Sequence, residues 1–172
     1  MLLRFSLIAG LYVLLGFASN AMAADVSLAV GQTGDSTPTY RLSVQWNWDT
    51  RWLKSELGHL SGYWDAGYTY WLGDETASNH SFSLAPVLVY EFAGERVRPY
   101  LEAGIGVALF ASTELESNRL GSSFQFEDRI GLGLRFASGH ELGLRAIHYS
   151  NAGIKQPNDG VEVYSLHYRL PF

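Results

Sequence analysis

Three residue types that cooperate in nucleophilic catalysis lie close together near the C-terminus of this 172-residue chain. His148, Ser150 and Glu162 fall at even positions of two consecutive strand-like segments whose other even positions are apolar or aromatic. Because side chains two residues apart in a strand share a face, the three groups are expected on one apolar surface. A serine, a base and an orienting carboxylate can attack a carbonyl carbon, so the pattern predicts an esterase that acts on a lipid lying against that surface.

The register of this last hairpin follows from keeping its apolar side chains on one side. One pairing that does so sets His148 opposite Glu162, and the same register sets Ala146 opposite Tyr164. Directly opposed side chains lie about 5 Å apart at Cβ, and Ser150 is two residues further along the strand of His148. We therefore expect Ser150 to be the nucleophile, His148 the general base, and Glu162 the carboxylate that fixes the imidazole.

The rest of the chain alternates in polarity, as strands of a membrane barrel do. Eight segments show the alternation, at residues 25–32, 39–48, 60–71, 82–92, 99–110, 124–136, 141–150 and 160–172. Their connections are predicted to alternate between long loops at one end and tight turns at the other. The expected fold class is therefore all-β, an eight-stranded antiparallel transmembrane β-barrel that comprises residues 24–172.

Charged residues share the face opposite to the apolar one in these segments, and a barrel in lipid places that face inside. A lumen of eight strands is only wide enough for side chains. We expect an ion network that fills it, built from Glu102, Glu127, Arg129, Arg135, Glu141, Arg145, His167 and Arg169. Asp128 interrupts the apolar face of its segment, and nearness to the loop end is the simplest reason that the sequence offers.

The N-terminal residues read as a secretory signal peptide at 1–23. Arg4 precedes an apolar run at 7–17, and Ala21-Met22-Ala23 forms a cleavage site. The net charge of −5 argues against a nucleic-acid partner. With no cysteine, and with His59, His80, His140 and His167 far apart, we expect neither a metal site nor a cofactor.

The last hairpin resembles the outer-membrane lipid A 3-O-deacylase (PagL) family. The residues that carry the resemblance are Ala-Ile-His-Tyr-Ser-Asn-Ala-Gly at 146–153, Lys-Gln-Pro-Asn-Asp-Gly at 155–160, and Glu162. It implies an eight-stranded barrel that hydrolyses the ester-linked 3-hydroxyacyl chain at position 3 of lipid A, with His148, Ser150 and Glu162 as the triad. It further implies that Asn151 and Asn158 support the site, at least one of them as donor to the oxyanion.

The resemblance also implies a cellular location and binding partners for the chain. The chain is expected in the bacterial outer membrane, with lipid A or lipopolysaccharide of the outer leaflet as substrate. The alternation that ends on Phe172 resembles the terminal signal read by the barrel-assembly machinery, and a homodimer is possible. Ala146 and Phe126, on the outer face beside the site, are candidates for a substrate groove, although Phe126 also suits ordinary lipid-facing surface.

Two alternatives stay open at this level. The first is another lipid enzyme on the same scaffold, either a phospholipase or an acyltransferase. The second is a non-enzymatic small barrel with a structural or adhesive role. Mass spectrometry of lipid A separates them, because each predicts a different change in acyl content.

Overall fold

A single sheet closes on itself in the computed structural model, which describes residues 24–172; the predicted signal peptide lies outside this part of the chain. In chain order the strands are β1 (Ala24–Thr33), β2 (Pro38–Asn47), β3 (Trp52–Ser55), β4 (Gly58–Trp71), β5 (Asn79–Phe92), β6 (Val97–Phe110), β7 (Glu114–Leu115), β8 (Asn118–Arg119), β9 (Phe124–Phe136), β10 (Glu141–Ser150) and β11 (Val161–Leu170). Between residues 24 and 172 there is no helix long and apolar enough to cross a membrane.

The eight long strands, which exclude β3, β7 and β8, pair with their neighbours along the chain. All pairings are antiparallel, and β1 pairs with β11 to close the barrel. The predicted all-β eight-stranded barrel is confirmed. Each predicted segment coincides with a long strand, although β5 begins three residues before the predicted start because its ladder with β4 continues to Asn79.

The lengths of the connections only partly follow the predicted alternation of long loops and short turns. Links 34–37, 72–78, 111–123 and 151–160 lie at one end of the barrel, called here the loop end, and the links at the other end are called the turn end. The first loop-end link has four residues, while the turn-end link 48–57 is longer and contains β3. At the start of this longer link the ring of Trp48 packs over Gly62 and against Trp52 on the outer wall.

Side chains on the two faces of the sheet have the inverted polarity that the sequence predicts. Outward residues such as Ile105 and Ile130 are apolar and 69% and 66% exposed, whereas inward residues such as Arg41 are polar and buried. This arrangement is that of a barrel surrounded by hydrocarbon.

The predicted ion network fills the half of the lumen toward the turn end. Nε of Arg145 donates to Glu102 at 2.6 Å, and Nε of Arg135 donates to Glu141 at 2.7 Å. The centre of the network is Asp65, which the sequence analysis did not single out. Its carboxylate accepts bonds from Arg41 at 2.5 Å and Arg129 at 3.1 Å, and from Ser43 and Gln45.

An apolar plug fills the lumen toward the loop end. The link 111–123 folds inward, and Leu115 and Leu120 are buried against barrel residues. Those barrel residues are Trp71, Ala108, Phe110, Ile147, Tyr149, Val161 and Val163. Ile147 and Val163 therefore point inward. Because neighbouring residues of a strand point to opposite faces, His148 and Glu162 lie on the outer surface.

Candidate active site

His148 and Glu162 face each other on the outer surface at the loop end. They are Cα partners in the β10–β11 ladder, and Ala146 pairs with Tyr164, so the register predicted from parity is confirmed. Nδ1 of His148 lies 2.9 Å from Oε1 of Glu162. Because a carboxylate can only accept, the imidazole donates Nδ1–H to it and keeps Nε2 for another partner. The two side chains are 42% and 53% exposed.

Ser150 is the last residue of β10 and lies on the same face as His148. Its Cα partner across the sheet is Phe126 of β9. Within residues 24–172 the Ser150 hydroxyl has no hydrogen-bond partner, and it stands one strand repeat from the imidazole. Hydrogen bonds between a nucleophile and its base are often long before substrate binds, so this spacing suits a serine–histidine pair.

The two asparagines next to Ser150 have different surroundings. Asn151 is fully buried, and its Nδ2 donates to the carbonyls of Leu120 at 2.9 Å and Lys155 at 2.8 Å. Its backbone N–H donates to Oδ1 of Asn158 at 2.9 Å. The amide donors of Asn151 are thus occupied within the loop. The Nδ2 group of Asn158 has no partner among residues 24–172, and its side chain is half-buried.

The loop 151–160 is held by the link 111–123 that also forms the apolar plug. Besides the bond from Asn151 to the Leu120 carbonyl, the Arg119 N–H donates to Oδ2 of Asp159 at 2.9 Å. The carbonyl of Pro157 packs against Gly121 so closely that a Cβ there would lie 2.0 Å from it. The position of the loop beside Ser150 is therefore set by the plug, a dependence that spacing in the sequence does not reveal.

Glu116 fastens the other side of the same link. Its carboxylate accepts the N–H groups of Asp74 and Glu75, both at 2.8 Å. These backbone donors lower the pKa of the Glu116 carboxyl below its ordinary value. The link 111–123 is thus joined to the other three loop-end links, since Nδ2 of Asn118 also donates to Asp35 at 2.8 Å, and it forms a cover over the barrel mouth.

Gly160 lies directly over the imidazole. Its φ is +69°, and a Cβ built on it would lie 3.1 Å from Cε1 of His148. The sequence leaves two interpretations of this glycine open, a close approach of the loop backbone to the site and ordinary turn chemistry. In the structure the absence of a side chain at Gly160 lets the loop lie against the ring, so a small residue here helps to define the orientation of His148.

An apolar groove of about 830 Å³ begins at the histidine on the outer wall. Its lining includes Ile105, Asp128, Ile130, Ala146, His148 and Tyr164. A second groove of about 740 Å³ shares Ile130, Ala146 and Tyr164 and continues past Leu132 and Leu144 toward the turn end. Of the two candidate groove residues, Ala146 lines both, whereas Phe126 lines neither and stands beside Ser150 with its ring against Phe124.

The part of the chain from residue 24 to 172 contains no group of three or more His, Asp or Glu side chains placed to hold a metal ion. Of the four other histidines, His59 faces the lumen end of β4, His167 bonds to Tyr100 inside the barrel, and His80 and His140 bond to tyrosines outside. None of them contacts the pair of His148 and Glu162.

The chain is similar to several known proteins. Residues 38–171 match the family described as Lipid A 3-O-deacylase (PagL). A lipid A deacylase PagL of Pseudomonas aeruginosa is 62% identical over 154 residues, which cover 89% of each chain. One from Bordetella bronchiseptica is 39% identical over 127 residues, 73% of this chain and 66% of the relative.

Two solved structures are similar to the barrel. The crystal structure of the outer membrane enzyme PagL aligns with a TM-score of 0.84 at 62% identity, over 86% of this chain and 99% of that one. Neisserial surface protein A aligns with a TM-score of 0.51 at 16% identity, over 87% of this chain and 94% of that one. The second likeness concerns the fold alone.

Proposed function

The chain belongs to the lipid A 3-O-deacylase family, and from that premise we propose that Ser150, His148 and Glu162 hydrolyse the ester at position 3 of lipid A in the outer membrane. The observation that carries the proposal is the 2.9 Å bond between His148 and Glu162 on the lipid-facing wall, beside a serine and above an apolar groove. Ionisable groups on a lipid-facing surface are costly and tend to mark function.

The reaction follows from the roles of the three groups. Ser150 Oγ attacks the acyl carbonyl carbon while Nε2 of His148 takes its proton. The tetrahedral intermediate collapses, and the bond between the acyl carbon and the sugar oxygen breaks. His148 returns the proton to the sugar alkoxide as it leaves. Water, activated by the same imidazole, then releases the 3-hydroxy fatty acid and restores the serine. Glu162 stabilises the imidazolium in both steps and holds the tautomer that leaves Nε2 free to accept.

The oxyanion of the intermediate requires a hydrogen-bond donor. Asn158 suits this role because its Nδ2 has no partner within residues 24–172, while its Oδ1 is fixed by the Asn151 N–H at 2.9 Å. Asn151 supports the site differently, since its own amide ties the loop to Leu120 and Lys155. The buried Asn151 thus positions the side chain of Asn158.

The grooves explain how an acyl chain reaches the serine without entering the lumen. They start at His148 and continue along β9 and β10 with leucine and isoleucine walls, so a chain lying in the outer leaflet contacts apolar surface along its length. Ala146 forms part of the floor, because its small side chain lies between the larger Ile130 and Tyr164 on neighbouring strands. Substrate therefore arrives laterally from the membrane.

The test is hydrolysis by the purified, folded protein in detergent with H₂¹⁸O. We expect lipid A to lose one 3-hydroxyacyl chain and the released fatty acid to carry ¹⁸O. Release of fatty acid from glycerophospholipid, with lipid A unchanged, would indicate a phospholipase instead. An added acyl chain on lipid A would indicate an acyltransferase, and unchanged lipids with folded protein would indicate a non-enzymatic barrel.

A further inference from the structure

Asp128 is an acidic residue on the apolar wall beside the triad. It is the Cα partner of His148 across the β9–β10 ladder, on the side opposite to Glu162. On its other side its Cα partner is Ile105 of β6. Its side chain is half-buried and has neither a hydrogen bond nor an ion pair with any residue between 24 and 172. It is thus a polar group that the triad does not use.

The surroundings of Asp128 make that lack of a partner costly. It lines the 830 Å³ groove together with apolar Ile105, Ile130 and Ala146. A carboxyl group placed against hydrocarbon with no donor is unfavourable. Every acidic residue at the centre of the lumen has an arginine, as Asp65 does with Arg41 and Arg129. On the wall no arginine or lysine lines the groove except Arg129, which points inward and is committed to that network.

The proposed substrate carries a hydrogen-bond donor that can reach this position, the 3-hydroxyl of its acyl chain. The carbon that bears this hydroxyl is two bonds from the carbonyl carbon that Ser150 attacks. Asp128 lies one strand away from the imidazole, on the side where the groove begins. An acyl chain entering the groove from Ser150 therefore carries its hydroxyl past Asp128 before its apolar tail.

We propose that Asp128 is a specificity-determining residue that accepts a hydrogen bond from the 3-hydroxyl of the scissile acyl chain, so that the enzyme selects 3-hydroxyacyl esters over plain acyl esters. This inference rests on the proposed function. A site built to bond a substrate hydroxyl leaves its own polar group unpaired when the analogue lacks that hydroxyl, and the analogue is rejected for that reason.

The experiment compares two 3-O-acyl glucosamine lipids that differ only in the presence of the 3-hydroxyl on the scissile chain. Rates are measured in detergent for the full-length folded protein and for Asp128→Leu, Asp128→Asn and Glu162→Gln. The wild type should favour the hydroxylated lipid by about 10- to 100-fold in kcat/KM. Asp128→Leu should remove most of that preference by slowing only the hydroxylated lipid, and Asp128→Asn, which keeps an acceptor oxygen, should retain part of it.

Glu162→Gln serves as the comparator because it acts through His148 and should slow both lipids by the same factor. An equal loss on both lipids in Asp128→Leu would overturn the inference and make Asp128 a second partner of the imidazole. A wild type that cleaves both lipids equally would overturn the inference and leave the proposed function standing. A wild type that cleaves neither would overturn the proposed function itself. Gel mobility before and after heating shows that each variant is folded.

Discussion

Ionisable side chains occupy two regions of this barrel, and the regions differ in how those side chains are paired. In the lumen, Asp65 accepts from two arginines and two neutral donors, and it has no exposed surface. On the outer wall, the side chains of His148 and Glu162 bond only to each other among residues 24–172, and both are about half exposed. Ionisable groups that are buried and fully paired stabilise the fold. Ionisable groups on the lipid-facing surface that still have unused hydrogen-bonding positions are available for chemistry.

The largest effect that separates the regions should come from the general base. His148→Ala should lower deacylation by about 10²- to 10⁴-fold, because the proton of Ser150 then has no acceptor. Heat-modifiable gel mobility and thermal unfolding should stay unchanged. His80→Ala is the matched control, an outer-face histidine at the same end that bonds Tyr68 at 2.7 Å, and it should keep activity. Loss of the folded form in His148→Ala would show that the outer pair is structural.

The next effect should come from the centre of the inner network. Asp65→Ala leaves the buried Arg41 and Arg129 with Glu127 as the one carboxylate that they still share, which should cost about 3–5 kcal/mol of unfolding free energy. The free energy is measured by urea unfolding in detergent. The exposed Asp74, whose side chain has no bond within residues 24–172, is the control; Asp74→Ala should change stability by less than about 0.5 kcal/mol. A stable Asp65→Ala barrel with lost activity would reverse the assignment of the two regions.

Within the outer pair the carboxylate should matter less than the base. Glu162→Ala removes one charge-assisted hydrogen bond to a half-exposed imidazole, so we expect a loss of about 10- to 100-fold in kcat. Steady-state rates on lipid A measure it against His148→Ala. A loss as large as that of His148→Ala would mean that Glu162 does more than orient the ring.

The smallest effect should come from the loop glycines. Gly160 and Gly153 both have positive φ, +69° and +78°, so alanine strains each by about 1–2 kcal/mol. Only at Gly160 does the added Cβ meet His148, at 3.1 Å. Gly160→Ala should therefore lower kcat several-fold more than Gly153→Ala at similar stability. Equal activity in the two variants would show that the loop does not hold the ring.

The barrel and the outer pair were predictable from the sequence because strands have a period of two. Alternation gives each face, and keeping apolar residues together on the outer face fixes the register, which is why His148 falls opposite Glu162. The predicted membership of the lumen network followed from the same rule.

What depends on contacts between distant loops was not predictable. Asn151 and Asn158 look equivalent in the sequence, yet their surroundings differ because Leu120, from another loop, accepts a bond from the buried Asn151 amide. Asp65 is central only because strands far apart in the chain direct Arg41 and Arg129 to the same point. The alternation of side chains along strands also does not predict that the link 111–123 folds into the lumen. Its Leu115 and Leu120 are buried there by packing with barrel residues.

The most direct test of the outer site is the mass of lipid A from cells that produce equal amounts of folded wild-type protein or Ser150→Ala. The Ser150 hydroxyl has no hydrogen-bond partner within residues 24–172, and alanine keeps the backbone pairing with Phe126, so the variant should be as stable as the wild type. We expect lipid A from wild-type cells to lack one 3-hydroxyacyl chain and lipid A from Ser150→Ala cells to keep it. Loss of the chain to the same extent in both would show that Ser150 is not the nucleophile.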